Sequence, residues 1–196
     1  MSDLLLLLLT FIYVIAVLVI SSLLRRFMTA EGARKFVHIA VAFTVFPVLF
    51  LDSPYLRLVG PVVFIAVNIL IGKMRGERLA GLVLYPFSML VLVIAYNSSL
   101  LSPAAVVTAM LTMGIGDGTA AIAGMRYGTV RIGKKTLQGS LCMLLMTMIV
   151  FLLFSDVPRY SCLLSAAVIS AVECFSPSGF DNLTVPLVTA VLAEVL

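Results

Sequence analysis

The sequence is poor in charge and poor in the residues that build covalent or metal cross-links. Charged residues fill 11% of its 196 positions, with nine Asp and Glu in total and one histidine, His38. Soluble domains are nearer a quarter charged, so the composition excludes an ordinary water-soluble fold. Three cysteines, Cys142, Cys162 and Cys174, lie in separate apolar segments, with no CxxC pair and no Cys/His spacing. That excludes a disulfide framework and a zinc finger and leaves packed thiols. No repeat and no low-complexity linker divides the chain, so residues 1–196 are expected to form one integral membrane domain.

Apolar sequence fills the rest. The hydrophobic share is 62% and the mean hydropathy +1.21. The apolar runs and their short polar breaks predict an all-α, polytopic membrane bundle with helices near 3–24, 34–51, 56–72, 79–97, 102–125, 137–155, 159–174 and 181–196. The expected number of membrane spans is about eight, within a range of six to eight. The first run, Leu4 to Leu24, can cross a hydrocarbon core of ~30 Å. It starts beside Asp3, and its basic residues, Arg25 and Arg26, follow it, so it reads as a retained span and not as a signal peptide.

The few charges are placed unevenly. Eleven of the thirteen Lys and Arg fall in three connections: Arg25, Arg26, Arg34 and Lys35; Lys73, Arg75 and Arg78; and Arg126, Arg131, Lys134 and Lys135. The positive-inside rule puts these connections in the cytoplasm and both termini outside. The connection from Glu173 to Asp181 falls on the same side and carries acids only.

Within this apolar chain one cluster is polar. Asp117 lies between Gly116 and Gly118, nine residues before Arg126, hence ~13 Å below the membrane edge on a regular helix. A charge at that depth costs at least ~2.5–3.5 kcal/mol. Asp117 is therefore either a buried acid paired with an arginine, or a metal ligand or catalytic base. Gly116, Ala120 and Gly124 recur every fourth residue, a small-residue face for close helix packing. Gly128 to Lys135 nearly matches the P-loop pattern but has Lys135 where Ser or Thr is required, and it follows a membrane helix and not a strand. Its backbone N–H groups, Lys134, Lys135 and the next helix N-terminus still suit a phosphate. Around the following turn, Glu173, Asp181 and Asn182 would join Asp117 as oxygen ligands suited to Mg²⁺; alternatively Asp181 simply caps the last helix. Arg34, Lys35 and His38 share one helical face. Beside two cations the neutral imidazole is favoured, able to accept a proton or to hydrogen-bond a phosphate or hydroxyl.

Taken in order, Arg34-Lys35-x-x-His38, Gly116-Asp117-Gly118-x-Ala120, Gly124-x-Arg126-Tyr127-Gly128, Lys134-Lys135-Thr136-x-x-Gly139-Ser140, Val172-Glu173 and Asp181-Asn182-Leu-Thr-Val-Pro186 resemble the polyprenol kinase family of CTP-dependent membrane lipid kinases. That family includes dolichol kinase, phytol kinase and the fungal-type diacylglycerol kinase. The resemblance implies transfer of the γ-phosphoryl of CTP to a membrane isoprenoid alcohol or diacylglycerol, with Mg²⁺ as cofactor. It implies catalytic roles for Asp117, His38 and Lys135. Nucleotide and phosphate contacts would come from Arg34, Lys35, Arg126, Gly133, Lys134, Lys135, Gly139 and Ser140, and metal contacts from Asp117, Glu173, Asp181 and Asn182. The partners implied are CTP, a lipid alcohol and the bilayer, with the active site facing the cytoplasm. No nucleic acid is expected, and a homo-oligomer is compatible with the sequence. A distant similarity to CDP-diacylglycerol synthase makes a CTP:lipid-phosphate cytidylyltransferase the alternative. That enzyme's His-Gly-Gly and Asp-Arg-x-Asp elements have no counterpart near Phe180. A transporter using Asp117 as an ion site would leave the glycine loop, its cations and the two further acids without a purpose.

Overall fold

The structure, a computed structural model, describes residues 2–76 and 79–196; the charge expected at Arg78 lies outside the described residues. The chain folds as helices α1 (Asp3–Leu24), α2 (Ala30–Ala42), α3 (Val45–Leu49), α4 (Pro54–Arg75), α5 (Leu79–Asn97), α6 (Pro103–Leu111), α7 (Gly118–Tyr127), α8 (Leu137–Phe154), α9 (Arg159–Phe175) and α10 (Asp181–Val195). Two two-residue strands, β1 (Arg131–Ile132) and β2 (Lys135–Thr136), precede α8. The bends at Phe43–Thr44 and at residues 112–117 subdivide two of the eight expected rods without separating them. Among the described residues five rods are long and apolar enough to cross a membrane: Asp3–Leu24, Ala30–Leu49, Pro54–Met74, Pro103–Tyr127 and Leu137–Phe154. Gly81–Asn97 is a shorter apolar helix.

Local chemistry sets the helix ends. Ser2, Thr29, Ser53, Ser102 and Thr136 each occupy an N-cap and accept a hydrogen bond from a backbone N–H three residues on, which satisfies a donor the helix cannot. Pro54 and Pro103 follow two of these caps in the first turn, where a missing N–H costs nothing. The cap at Thr29 corrects one expectation. It starts α2 a turn earlier than residue 34, so Arg34 and Lys35, expected at the edge of the helix, lie in its second turn.

The rod from Pro103 to Tyr127 is the centre of the bundle. Its apolar window is 78% buried, against 17% for α1 and 11% for α4. It therefore serves as core, while α1 and α4 present their apolar side chains outward. Between α6 and α7 the central rod widens into a π-helical segment, Thr112–Asp117, a distortion that often accompanies function. Two glycine faces let neighbours close on it. A Cβ at Gly114 would overlap Ala42 Cβ and lie 3.0 Å from the His38 carbonyl oxygen, and one at Gly118 would lie 2.5 Å from Ile39 Cγ1. These two glycines admit α2. On the other side a Cβ at Gly116 would meet Met143 Sδ at 2.9 Å, and one at Gly124 would meet Thr136 Oγ1 at 2.8 Å. That is the expected Gly116-Ala120-Gly124 face, and it packs against α8.

Polar ties close the opposite end of the bundle. The Asp3 carboxylate accepts from the N–H groups of Asp52 (3.1 Å) and Ser53 (2.8 Å). Arg57 donates to the Leu51 carbonyl and to Asn97 Oδ1, both at 2.9 Å. Glu194 accepts from the Ser102 N–H at 2.6 Å.

Candidate functional site

The other end opens into a cleft of about 1220 Å³. Five elements line it: the first turns of α2, the start of α5, the inner face of α7, the β-hairpin running into α8, and the turn from α9 to α10. Four of these are helix ends or tight turns, where polar groups can gather without interrupting a span; the fifth, α7, belongs to the central rod, which brings Asp117 from within it.

Three carboxylates form its floor. Asp117, Glu173 and Asp181 are all buried, and one oxygen from each lies within 4.8 Å of the other two. Asp117 comes from the end of the π-helical segment, Glu173 from the last turns of α9, and Asp181 from the first residue of α10. Asp181 is not a capping residue: the N-cap is Phe180, which makes no side-chain cap, and Asp181 Oδ1 accepts from the N–H of Asn182 at 3.1 Å. The amide nitrogen of Asn182 donates to the Gly81 carbonyl at 3.0 Å. This bond ties the start of α10 to α5 and leaves the amide oxygen as the group's acceptor.

Two lysines answer the three acids. Lys35 donates to Asp117 Oδ2, and Lys135 donates to Glu173 Oε1 and, at 2.9 Å, to Asp181 Oδ2. Asp117 is thus paired with a lysine where an arginine was one expectation. Burial disfavours the charged form of Lys135, but the adjoining Glu173 and Asp181 carboxylates outweigh it and hold the ammonium well above its ordinary pKa. Buried ion pairs of this kind add little net stability, yet removing one partner costs several kcal/mol. Their geometry is therefore tightly specified.

The glycine-rich segment is a hairpin, not a loose loop. Arg131 pairs with Thr136 and Ile132 with Lys135 across a two-residue turn, Gly133-Lys134. Gly133 has φ +59°, a left-handed conformation that glycine takes without strain. The turn leaves Lys134 exposed at the hairpin tip, and β2 carries Lys135 to the acids. Gln138 clamps the strap from below. Its Oε1 accepts from the N–H of Thr129 (3.1 Å) and Val130 (3.4 Å), and its Nε2 donates to Thr129 Oγ1 at 2.6 Å.

The expected site residues are distributed as follows. Arg34, Lys35, Asp117, Gly133, Lys134, Lys135, Gly139, Ser140, Glu173, Asp181 and Asn182 all line the cleft. Arg34 is engaged with Glu31 through Nε at 2.9 Å and Nη2 at 2.6 Å. Arg126 is not a lining residue; its guanidinium rests over the Tyr127 ring, 5.6 Å from the centroid. His38 is not one either. It is buried one turn below Lys35, stacked on Tyr85 with ring centroids 4.6 Å apart, and its Nδ1 has no hydrogen-bond partner among the described residues. Sequence reasoning missed Tyr85, Glu31 and Gln138, which carry no local signature. It also missed the Gly114/Gly118 face, although the four-residue spacing was available as a signal.

A chain with buried acids, cations aimed at one cleft and an oxygen-only donor set can hold a divalent ion and an anionic ligand side by side. The carboxylate spacing of up to 4.8 Å is slightly wider than opposite ligands of one octahedral Mg²⁺, ~4.2 Å, so the three carboxylates suit such an ion once an ammonium group now bonded to them gives way. No family model matches the chain, and no solved structure matches it. Among characterised proteins it is similar to the phytol kinase of Synechocystis sp., at 30% identity over 203 aligned positions that cover 92% of this chain and 87% of that protein.

Proposed function

The chain belongs to the polyprenol and lipid kinase family and is a membrane phosphotransferase, and from that premise we propose that it transfers the γ-phosphoryl of CTP to the hydroxyl of a membrane isoprenoid alcohol or diacylglycerol at the cytoplasmic face. Phytol is the first acceptor to test, because the relative is a phytol kinase. The observation that carries this reading is that one cleft is lined by five cationic side chains (Arg34, Lys35, Arg131, Lys134 and Lys135) and by three buried carboxylates, two of the lysines being bonded to the acids.

Phosphoryl transfer needs positioning and charge neutralisation more than covalent chemistry from the protein. Lys134, exposed at the hairpin tip, meets the incoming triphosphate first. Arg131 on the same hairpin and Arg34 on α2 flank it. Asp117, Glu173 and Asp181 would hold Mg²⁺, with Asn182 beside them. When bound, Mg²⁺ neutralises charge on the β- and γ-phosphoryl oxygens. Gly133 and Gly139, which carry no side chain, let a phosphate come close to the backbone beside the start of α8, whose Gly139 N–H is itself taken by Thr136 Oγ1 at 3.2 Å. The cleft lies at the helix ends, so the nucleotide enters from water while the lipid hydroxyl arrives from the leaflet.

The test is transfer of labelled phosphate from CTP or ATP to phytol, geranylgeraniol, dolichol and diacylglycerol by the purified protein in lipid vesicles. The expected result is CTP-dependent labelling of at least one alcohol, with CDP as the second product. Release of pyrophosphate in place of CDP would assign the chain to cytidylyl transfer instead.

A further inference from the structure

The three carboxylates of the floor have counter-ions already. Asp117 is held by Lys35, and Glu173 and Asp181 by Lys135. Three negative and two positive charges fill the space in which a divalent ion would bind on the functional reading above. A divalent ion that takes these carboxylate oxygens competes with the ammonium groups now bonded to them and repels those groups at contact distance. One of the lysines has to leave.

The structure distinguishes them. Lys35 is fixed. Its side chain is 6% exposed, and it projects from α2 where that helix is locked against Gly114 and Gly118. Lys135 is the freer of the two. Its side chain is 28% exposed, and it sits on a two-residue strand immediately after the turn at Gly133-Lys134. It also makes the only contact that links Glu173 to Asp181 among the described ion pairs. Without it two buried carboxylates on different helices would repel each other.

We propose that Lys135 is a built-in counter-ion, which holds Glu173 and Asp181 in register while no divalent ion is bound and moves from them onto the nucleotide phosphates when the ion arrives. This rests on the proposed function and adds an order of events to it. Ion and nucleotide bind as a set, because the ion releases the ammonium group that the triphosphate then takes up. Neither ligand alone reaches the affinity it has in the presence of the other.

The experiment uses the intact chain in detergent or nanodiscs. Lysines are acetylated with a water-soluble N-hydroxysuccinimide ester, and the extent at Lys135 is read by peptide mass spectrometry against Lys134, its exposed neighbour. Mg²⁺ alone is expected to raise the Lys135-to-Lys134 ratio at least threefold. A non-hydrolysable CTP analogue added with Mg²⁺ is expected to lower it again. A ratio unmoved by Mg²⁺ overturns the exchange. Lys135→Gln provides a second reading: Mn²⁺ binding without nucleotide, followed by electron paramagnetic resonance, should tighten at least tenfold. Equal or weaker Mn²⁺ binding by a variant that keeps a cooperative thermal transition also overturns it. If no nucleotide donates phosphate to any lipid, the functional reading fails; if transfer proceeds and the acetylation ratio stays flat, only the exchange fails.

Discussion

Substituting Gly114 with alanine adds one methyl group where α2 crosses the centre of the bundle. The new Cβ would coincide with the shell of Ala42 Cβ and lie 3.0 Å from the His38 carbonyl oxygen. Neither obstacle is a side chain that can rotate away: one is itself a Cβ and the other is backbone. Carbon atoms at rest sit ~3.5–4.0 Å apart, so α2 has to retreat by roughly 1.5 Å or tilt by an equivalent amount. Overpacking of this kind costs about 1–3 kcal/mol, which a membrane bundle of this size can absorb. The larger effect falls on chemistry. Lys35 rides on α2 two turns from Ala42, and its ammonium must meet Asp117 on the other side of the crossing. A misplacement of about 1 Å in a reacting constellation can lower the rate ~100-fold. The expected result is a 10- to 100-fold fall in kcat for lipid phosphorylation with the thermal transition largely retained. Gly60→Ala is the control, since a Cβ there meets nothing within 4 Å; it should be neutral or slightly stabilising. A Gly114→Ala enzyme that turns over within twofold of the parent would refute the claim that the glycine crossing positions the lysine.

Three further outcomes follow from the same geometry. Asp117→Ala leaves the Lys35 ammonium buried without a partner, so it should lose about 3–5 kcal/mol of stability as well as activity; Asp117→Asn, which keeps an acceptor, should abolish turnover while retaining more of the thermal transition. Gln138→Ala removes three hydrogen bonds to Thr129 and Val130, each worth about 1 kcal/mol, and should raise the nucleotide KM more than it lowers kcat; a change confined to kcat would count against the hairpin as a phosphate strap. The raised pKa of Lys135 means that its contribution to stability is complete below the ordinary amine pKa and is lost only as pH rises through the higher folded-state value. The difference in melting temperature between the parent and Lys135→Gln should therefore stay constant from pH 7 to 9, and a decline across that window would contradict the pairing.

Much of this architecture was legible in the amino-acid order. Apolar runs separated by Ser, Thr, Pro and Gly mark all eight rods, because those residues stop or start a helix by local chemistry. Asp117 stood out because a carboxylate in such a run is costly, and Glu173 and Asp181 could be joined to it by charge bookkeeping across connections. Less legible was everything that depends on how rods cross. Nothing local says that Thr29 outcompetes later residues as a cap, so Lys35 looked like an edge cation when it is a buried partner. The π-helical widening at residues 112–117 contains Gly114 and Gly116, against which neighbouring helices pack closely, and no local sequence rule announces it. The hairpin at Gly133 resembled a flexible phosphate loop because a two-residue strand pair is too short to show alternation.

The Lys35–Asp117 pair also constrains the birth of the protein. Its members are separated by 82 positions, and each sits on an apolar helix that carries a lone charge at a cost, larger for Asp117 inside the central rod than for Lys35 in the second turn of α2. During synthesis the lysine-bearing helix emerges first and has to wait, uncompensated, while some eighty further residues are made. The acid-bearing helix then arrives with the opposite liability. Each is fully at home in lipid only in the other's company, so the floor of the cleft is one of the last parts of the molecule to be completed. A ribosome product truncated before residue 117 should for that reason be cleared quickly by membrane proteases, and pulse-chase would show it. A chain that has survived biogenesis has, by that fact, already assembled its most demanding ion pair.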